Sequence, residues 1–224
     1  MIKKLRNLLA GGGDPSQRMK RDWEHRAREN AMHYIADFRP DWQGDEQAFF
    51  ASGLDDVRQF LDRAGWAEHR GGSLLEIGCG LGRMTRHLAA HFDRVVGLDV
   101  SPTMVQRARE LNTQLSNVEF VEGNGVNLGQ FSDAHFDRVM SYIVFQHIPA
   151  PELVEGYIAE GLRVLAPGGE FFFQARDDHG HDGRNTYDGA AIRRARVEQI
   201  AQRAGRSVVR VEGEGTQMCF YLLR

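Results

Sequence analysis

Acidic and glycine residues that could bind a charged ligand follow two predicted strands. Glu76 lies near the end of the first strand, an apolar run at residues 74–77. Three glycines then occur at every second position, Gly78, Gly80 and Gly82. Asp99 comes 23 positions after Glu76, near the end of a second apolar run. Because ligands of open α/β sheets bind beyond the carboxyl ends of strands, both acids are expected at one crevice.

The two acids suit different parts of one ligand. A carboxylate beside the glycine turn would repel a pyrophosphate but suits an ammonium group, and the GxGxG spacing differs from the GxGxxG dinucleotide fingerprint. Asp99 can accept hydrogen bonds from both hydroxyls of a ribose. The residues therefore indicate a ligand with an amino-acid end and a nucleoside end.

A helix is predicted directly after the glycine turn. Its apolar residues recur at i, i+4 and i+8, as Met84, Leu88 and Phe92. Glycine in the turn permits positive φ angles and a close approach of the ligand. The helix start would add unpaired N–H groups and a partial positive charge, which suit a carboxylate or phosphate.

From residue 73 to the C-terminus, the chain resembles the class I S-adenosylmethionine-dependent methyltransferases of the small-molecule type. Besides the GxGxG turn and Asp99, the resemblance rests on three segments, VEGNG (121–125), FDRVMSYIVFQHIP (136–149) and LRVLAPGGEFFFQ (162–174). It implies S-adenosylmethionine as the cofactor, with its methionine part at the glycine turn and its ribose at Asp99. Asn124 stands where the family commonly has an aspartate beside the adenine.

The predicted site residues form two groups. Those expected to bind the cofactor are Glu76, Gly78, Gly80, Gly82, Arg83, Asp99, Val100, Met104, Asn124, Gly125 and Ser141. Those expected to contact the acceptor are Tyr34, Tyr142 and His147. Structural roles compete at some positions: Met104 could be a core residue, and Arg83 could be solvated.

His147 is the predicted catalytic residue, because it follows the fourth predicted strand at 137–144. Methyl transfer from a sulfonium releases a neutral sulfide, so alignment supplies much of the catalysis and no acid is needed. A base helps only if the acceptor arrives protonated, and a histidine titrates at about pH 6.5. The alternative is that His147 anchors its loop.

An acidic and histidine-rich loop is not assigned to a metal. Its candidate ligands are Asp177, Asp178, His179, His181 and Asp182. They all lie in a single loop. In the small-molecule methyltransferases that use a divalent ion, the metal ligands usually come from several strand ends. We therefore predict a solvated loop on the acceptor side.

Composition narrows the classes of partner. With a net charge of −3 in 224 residues, the chain lacks the basic surplus of nucleic-acid binding proteins. The segment after the fourth strand also lacks the Asn/Asp-Pro-Pro-Tyr/Phe run of nucleic-acid amino-methyltransferases. No apolar stretch has the length of a membrane span, and the apolar core of the basic start is too short for a secretory signal. We expect a cytoplasmic protein with a small-molecule acceptor, without nucleic-acid or membrane partners; the oligomeric state is not predicted.

Two regions are predicted. Residues 73–224 alternate between strand and helix patterns, which indicates a Rossmann-like α/β domain. Its sheet is expected to have seven mostly parallel strands, helices on both faces and an antiparallel last strand. A helix at 151–165, closed by Pro167-Gly168-Gly169, should precede a fifth strand at 170–175.

Residues 1–72 are predicted to form a helical extension that roofs the crevice. Asp14-Pro15 should start its first helix and Pro40 should end it. The apolar stripe of this helix contains Met19, Trp23, Ala27, Ala31 and Ile35. The stripe assigns Trp23 to packing, whereas Tyr34 lies beside it. A second helix is predicted from Asp45 to Ala64, with Gly65 as its cap.

Two other functional classes remain open. A nicotinamide-dependent oxidoreductase would share the nucleotide-binding fold, although the GxGxG spacing and Glu76 count against it. A non-catalytic partner or regulatory protein could keep the same fold and still bind the cofactor. The sequence does not separate this last class from an enzyme.

Overall fold

The computed structural model describes residues 14–36, 42, 45–178 and 185–224. Seven strands form one sheet in the order β3-β2-β1-β4-β5-β7-β6. They are β1 Ser73–Ile77, β2 Arg94–Asp99, β3 Val118–Glu122, β4 Phe136–Ser141, β5 Leu165–Ala175, β6 Val208–Glu212 and β7 Cys219–Leu223. β7 pairs antiparallel with both neighbours, and the other pairs are parallel. This confirms the predicted Rossmann-like fold.

The helices begin and end largely where capping residues predict. They are α1 Pro15–Ile35, α2 Glu46–Ala64, α3 Thr85–Leu88, α4 Pro102–Leu111, α5 Pro151–Val164 and α6 Arg194–Arg203, with a 3₁₀ turn at Phe145–His147. Asp14 and Asp45 accept hydrogen bonds from the first turns of α1 and α2, and Gly65 ends α2 at a φ of 77°. α1 ends at Ile35, and Pro40 lies outside the described residues.

Two elements are shorter than predicted. The helix after the glycine turn is only the four-residue α3. Gly82 has a φ of 81°, which no α-helix accommodates, so the helix begins after it, and it ends at Leu88. Phe92 therefore lies beyond α3, although it is buried. β4 ends at Ser141 and not at Val144, since Ile143 has a φ of 54° and turns the chain.

The Pro-Gly-Gly segment does not separate helix from strand. α5 passes directly into β5 at Leu165, and the segment lies inside β5. The register between β4 and β5 shifts there, because Phe136 pairs with Leu165 and Arg138 with Glu170. The segment is an irregularity in the pairing of β4 with β5, which explains how proline and glycine fit within a strand.

Apolar packing joins the two N-terminal helices to the glycine turn. One buried cluster combines residues of α1, α2, the glycine turn and α4, among them Ala27, Ala31, Phe49, Phe50, Leu81 and Met104. Two larger clusters cover the sheet. Among the described residues, no helix has both the length and the apolarity to cross a membrane.

Glu24 adds a polar link between α1 and the start of α4. Its carboxylate accepts hydrogen bonds from Ser101 Oγ at 2.6 Å, Thr103 Oγ1 at 2.6 Å and Thr103 N at 3.1 Å. Burial alone would raise the pKa of Glu24, but these bonds outweigh burial and lower it to about 2. α1 is therefore fixed to the segment that directly follows Asp99.

We predict that Glu24→Gln lowers the free energy of unfolding at pH 7 by about 1.5–3 kcal/mol, the usual contribution of hydrogen bonds to a charged group. The lowered pKa stabilises the folded state above the unfolded-state pKa of 4.5, and this stabilisation is lost as the pH falls towards 2. Urea unfolding of both proteins at pH 7 and pH 3 measures the difference. Glu122→Gln, which removes the exposed ion pair of Lys20 on the same helix, is the control with little expected effect. An equal loss at both pH values would contradict the charged link.

Candidate functional site

A cavity lies beyond the carboxyl ends of β1, β2 and β4. The chain order reverses between β1 and β4, and open α/β sheets bind their ligands at such a point. Ten predicted site residues line the cavity: Tyr34, Glu76, Gly78, Gly80, Arg83, Asp99, Val100, Met104, Tyr142 and His147. The structure thus brings together residues from three strand ends and α1.

Glu76 is a buried carboxylate, only 4% exposed. Thr85 Oγ1 donates to its Oε2 at 2.5 Å. Burial raises the pKa of Glu76 to about 7, and the charge of Asp99 adds to the rise, while Thr85 and Arg83 oppose it. A cationic group in the cavity would therefore bind the ionised form with a large electrostatic gain.

Asp99 is held by backbone donors. Gly80 N donates to Oδ2 at 2.9 Å and Ser101 N donates to Oδ1 at 2.9 Å. Burial raises the pKa of Asp99, against the effect of these hydrogen bonds. Because each carboxylate oxygen has two acceptor sites, both oxygens can still accept a hydroxyl from a ligand.

The glycine turn has no room for side chains at two of its positions. A Cβ atom at Gly78 would lie 2.3 Å from Cγ2 of Val144, and one at Gly80 would lie 2.7 Å from Cδ1 of Ile35. Both glycines have positive φ angles. The bare turn thus forms a floor of the cavity, with the β4 segment and α1 directly above it.

Arg83 is held by two side chains of α2, but its Nε has no hydrogen-bond partner among the described residues. Its Nη2 lies 2.5 Å from Asp56 Oδ2 and its Nη1 lies 3.1 Å from Ser52 Oγ, both on α2. Its Nε is buried without a hydrogen-bond partner among the described residues. A buried donor without a partner is costly, so a ligand carboxylate in this cavity would satisfy it.

Four predicted cofactor residues do not line the cavity. Asn124 is exposed, and its amide oxygen accepts from the backbone N–H groups of Val126 and Asn127 in its own turn. Ser141 Oγ donates to Ile77 O at 3.2 Å and so links β1 to β4. These two side chains hold the backbone and do not face the cavity.

The two remaining residues are glycines that face protein. A Cβ atom at Gly82 would lie 2.8 Å from Cζ of Phe120, and one at Gly125 would lie 3.2 Å from Cγ2 of Val100. Both therefore permit close packing behind the cavity. Gly82 belongs to the same GxGxG spacing as the cavity-lining glycines, and Gly125 follows a strand end as they do, which is why the sequence could not separate them.

The predicted acceptor side contains two tyrosines. The hydroxyl of Tyr34 donates to Glu29 Oε2 at 2.9 Å, and this hydrogen bond is the main cause that raises the Tyr34 pKa to about 12. Burial raises the pKa of Tyr142, whose ring packs edge-on against Phe60 at 5.6 Å. Both hydroxyls therefore keep their protons near neutral pH.

His147 is held in one tautomer by its neighbours. Its Nδ1 lies 3.1 Å from the carbonyl oxygen of Thr186, which only accepts, so Nδ1 carries the proton. Its Nε2 lies 3.3 Å from Nε2 of Gln146, and Gln174 donates to the amide oxygen of that Gln146 at 3.0 Å. In this tautomer Nε2 is the acceptor nitrogen, and the amide nitrogen of Gln146 donates to it.

Several cavity residues escaped the sequence patterns. Trp23, assigned to packing, lines the cavity, and its ring contacts His147 at 5.7 Å in an edge geometry. An apolar stripe cannot distinguish a side that covers a core from one that covers a cavity. Ile143 and Val144 also line it. Their segment, 141–147, is expected at the crevice from its place after the fourth strand, but the turn at Ile143 has no sequence signal.

The two described acids of the 177–182 loop have protein partners. Asp178 pairs with Arg176 at 2.8 Å, and Asp177 Oδ2 accepts from Gly215 N at 2.9 Å. His179, His181 and Asp182 lie outside the described residues. Within the described part of the chain, no three His, Cys, Asp or Glu side chains form a group that could hold a metal ion.

Comparisons with known proteins agree with the site. Residues 75–173, from β1 to β5, match a family model described as a methyltransferase domain. The chain is 41% identical over 103 residues to 24-methylenesterol C-methyltransferase 2 of Oryza sativa. This alignment covers 44% of this chain and 27% of that protein. The chain is also 29% identical over 154 residues to fatty-acid O-methyltransferase of Mycolicibacterium smegmatis. That alignment covers 66% of this chain and 52% of that protein.

A solved structure has the same fold over nearly the whole chain. The DhpI–SAH complex is similar over 93% of this chain and 96% of that chain, with a TM-score of 0.61 and 25% identity. By contrast, the chain spans only 27% to 57% of the length of the first curated relatives it matches. The likeness to these relatives is therefore confined to part of each protein.

We predict that Glu76→Gln changes the pH dependence of stability. The Glu76 pKa of about 7 lies above its unfolded-state value of 4.5. The associated stability is fully present below pH 4.5 and is lost as the pH rises through 7. In urea unfolding of the ligand-free proteins, the variant should therefore gain about 3 kcal/mol relative to the unchanged protein between pH 4.5 and pH 8. Glu152→Gln, at an exposed position on α5, is the control. If the free energy of unfolding of the variant and of the unchanged protein changed with pH in the same way, Glu76 would not have the raised pKa.

Proposed function

Because the chain belongs to the class I S-adenosylmethionine-dependent methyltransferase family, we propose that it binds S-adenosylmethionine and transfers a methyl group to a small molecule. We expect an oxygen or nitrogen atom of that molecule to accept the methyl group. The observation that carries the proposal is the presence of Glu76 and Asp99 on one cavity, each with unused acceptor capacity. An ammonium group and a ribose, the two ends of this cofactor, match these two acids.

The cavity residues fit the rest of the cofactor as well. Glu76 would bind the ammonium group, and the unpartnered Nε of Arg83 would bind the carboxylate. Asp99 would accept from the ribose hydroxyls, while Val100 and Met104 offer apolar contacts to the adenine. Asn124 is not part of this assignment, because its amide caps its own turn.

The chain's own contribution to the reaction is alignment and proton removal. When bound, the cofactor supplies a methyl group on a sulfonium, whose departure as a neutral sulfide requires no acid. The glycine turn and Asp99 would fix the position of this group, which can lower the barrier by roughly 7–11 kcal/mol through alignment. Nε2 of His147 would take the proton from a hydroxyl or ammonium acceptor.

The N-terminal region would complete the site as a roof over the domain at 73–224. Met19, Trp23, Tyr34 and Ile35 of α1 line the cavity, and the last two follow the kink of α1 at Asn30. Glu24 links the same helix to Ser101. We therefore propose that the described part of the N-terminal region, residues 14–36, 42 and 45–72, covers the catalytic domain and does not act as an independent unit.

A panel of acceptors tests this function. The protein is incubated with S-adenosylmethionine carrying a deuterated methyl group and with a phenol, a fatty acid, a primary amine and a sterol. Mass spectrometry should find the label on one of the first three. Label only on a sterol carbon would contradict the expected acceptor atom, and binding of S-adenosylhomocysteine without transfer to any acceptor would favour the non-catalytic alternative.

His147→Ala tests the proposed base in the same assay. Turnover should fall about a hundredfold or more, the usual contribution of a general base, while the affinity for S-adenosylhomocysteine stays the same. His25→Ala, on the exposed side of α1, is the control. Weaker cofactor binding and lower thermal stability with only a modest loss of turnover would instead assign His147 to anchoring its loop.

A further inference from the structure

Ile143 has a backbone conformation that its side chain disfavours. Among the described residues, it and Ala134 are the non-glycine positions with positive φ, both at 54°. In the left-handed region Cβ crowds the following carbonyl, and a β-branched residue there is an outlier. Glycine or asparagine would occupy this position at a lower cost.

The neighbours of Ile143 explain how the conformation is enforced. Tyr142 packs against the apolar cluster that contains Phe60 and Phe172, whereas Val144 packs against the cluster that contains Phe145. Ser141 is tied to Ile77, and His147 N donates to Val144 O at 2.9 Å. The chain must therefore turn between two anchored side chains, and Ile143 is the residue at the turn.

Burial does not compensate for this cost. The side chain of Ile143 is 37% exposed and belongs to none of the buried apolar clusters of the described residues, nor to the partly buried residues packed against them. It lines the cavity beside Tyr142 and His147. A strained, exposed isoleucine at a ligand cavity indicates that its apolar side chain is retained for a contact outside the folded chain.

We propose that Ile143 is a specificity residue whose side chain contacts the methyl acceptor and selects acceptors with an apolar surface. The proposal rests on the proposed methyltransferase function, since the cofactor would fill the glycine and acid side of the cavity. The acceptor would then lie between Ile143 and α1, where Ile35 and Trp23 offer further apolar surface. The acceptor class is thus an apolar small molecule with its reactive atom near His147.

Three variants separate strain from contact. Ile143→Gly removes both the strain and the side chain, and Ile143→Thr keeps the branch at Cβ but replaces the ethyl arm by a hydroxyl. Ala134→Gly relieves the same backbone conformation at an exposed position away from the cavity and serves as the control. Dodecanoate and 2-naphthol are titrated calorimetrically into each protein saturated with S-adenosylhomocysteine.

At least one of the two probes should bind the unchanged protein. Ile143→Gly and Ile143→Thr should raise its Kd about fivefold or more, since each loses apolar contact. Ala134→Gly should leave this Kd unchanged, and affinity for S-adenosylhomocysteine should stay within about twofold in all variants. The urea midpoint of Ile143→Gly should equal or exceed that of the unchanged protein.

Three results would overturn the proposal: binding of neither probe, an unchanged Kd in both Ile143 variants, or a clearly lower urea midpoint for Ile143→Gly. The last result would make Ile143 an ordinary packing residue. Failure of the proposed function has separate signatures: the unchanged protein would not bind S-adenosylhomocysteine, or would bind it without transferring a methyl group to any acceptor of the panel.

Discussion

The structure depends on holding two carboxylates, the buried Glu76 and the half-buried Asp99, at adjacent strand ends. Burial raises the pKa of both, and the hydrogen bonds they receive come from neutral donors, namely a threonine hydroxyl and backbone amides. Such an arrangement lowers the stability of the ligand-free fold and is relieved by a ligand that brings a cation and hydroxyl groups. A ligand with a cation and hydroxyl groups therefore binds more favourably than one without them, because it removes this loss of stability.

The rest of the fold maintains this arrangement. The parallel sheet aligns the ends of β1 and β2, and the glycine turn places a backbone amide on Asp99. The N-terminal helices cover the cavity, with α1 fixed at Glu24 and α2 holding Arg83 through Asp56. The contacts of Glu24 and Asp56 each join a helix of the N-terminal region to a segment that follows a strand end.

Local signals made much of this predictable. Caps such as Asp45 and Ser101, and the glycine turn with its two acids, act within a few residues, so their sequence spacing determines their role. Asn124 and Gly82 were placed on the cavity by pattern, but their direction depends on tertiary packing that spacing does not contain. Trp23 and Ile143 show the same limit from the other side. Their apolar character is visible in the sequence, whereas the cavity they face, and the backbone angle at Ile143, arise only in the folded chain.

The most direct test of the central claim is proton release when S-adenosylhomocysteine binds. Calorimetry at pH 6 in two buffers of different ionisation enthalpy counts the protons released per ligand. With a Glu76 pKa of about 7 in the free protein, the account predicts release of close to one proton and an affinity about tenfold higher at pH 8 than at pH 6. Binding without proton release, with the same affinity at both pH values, would contradict it.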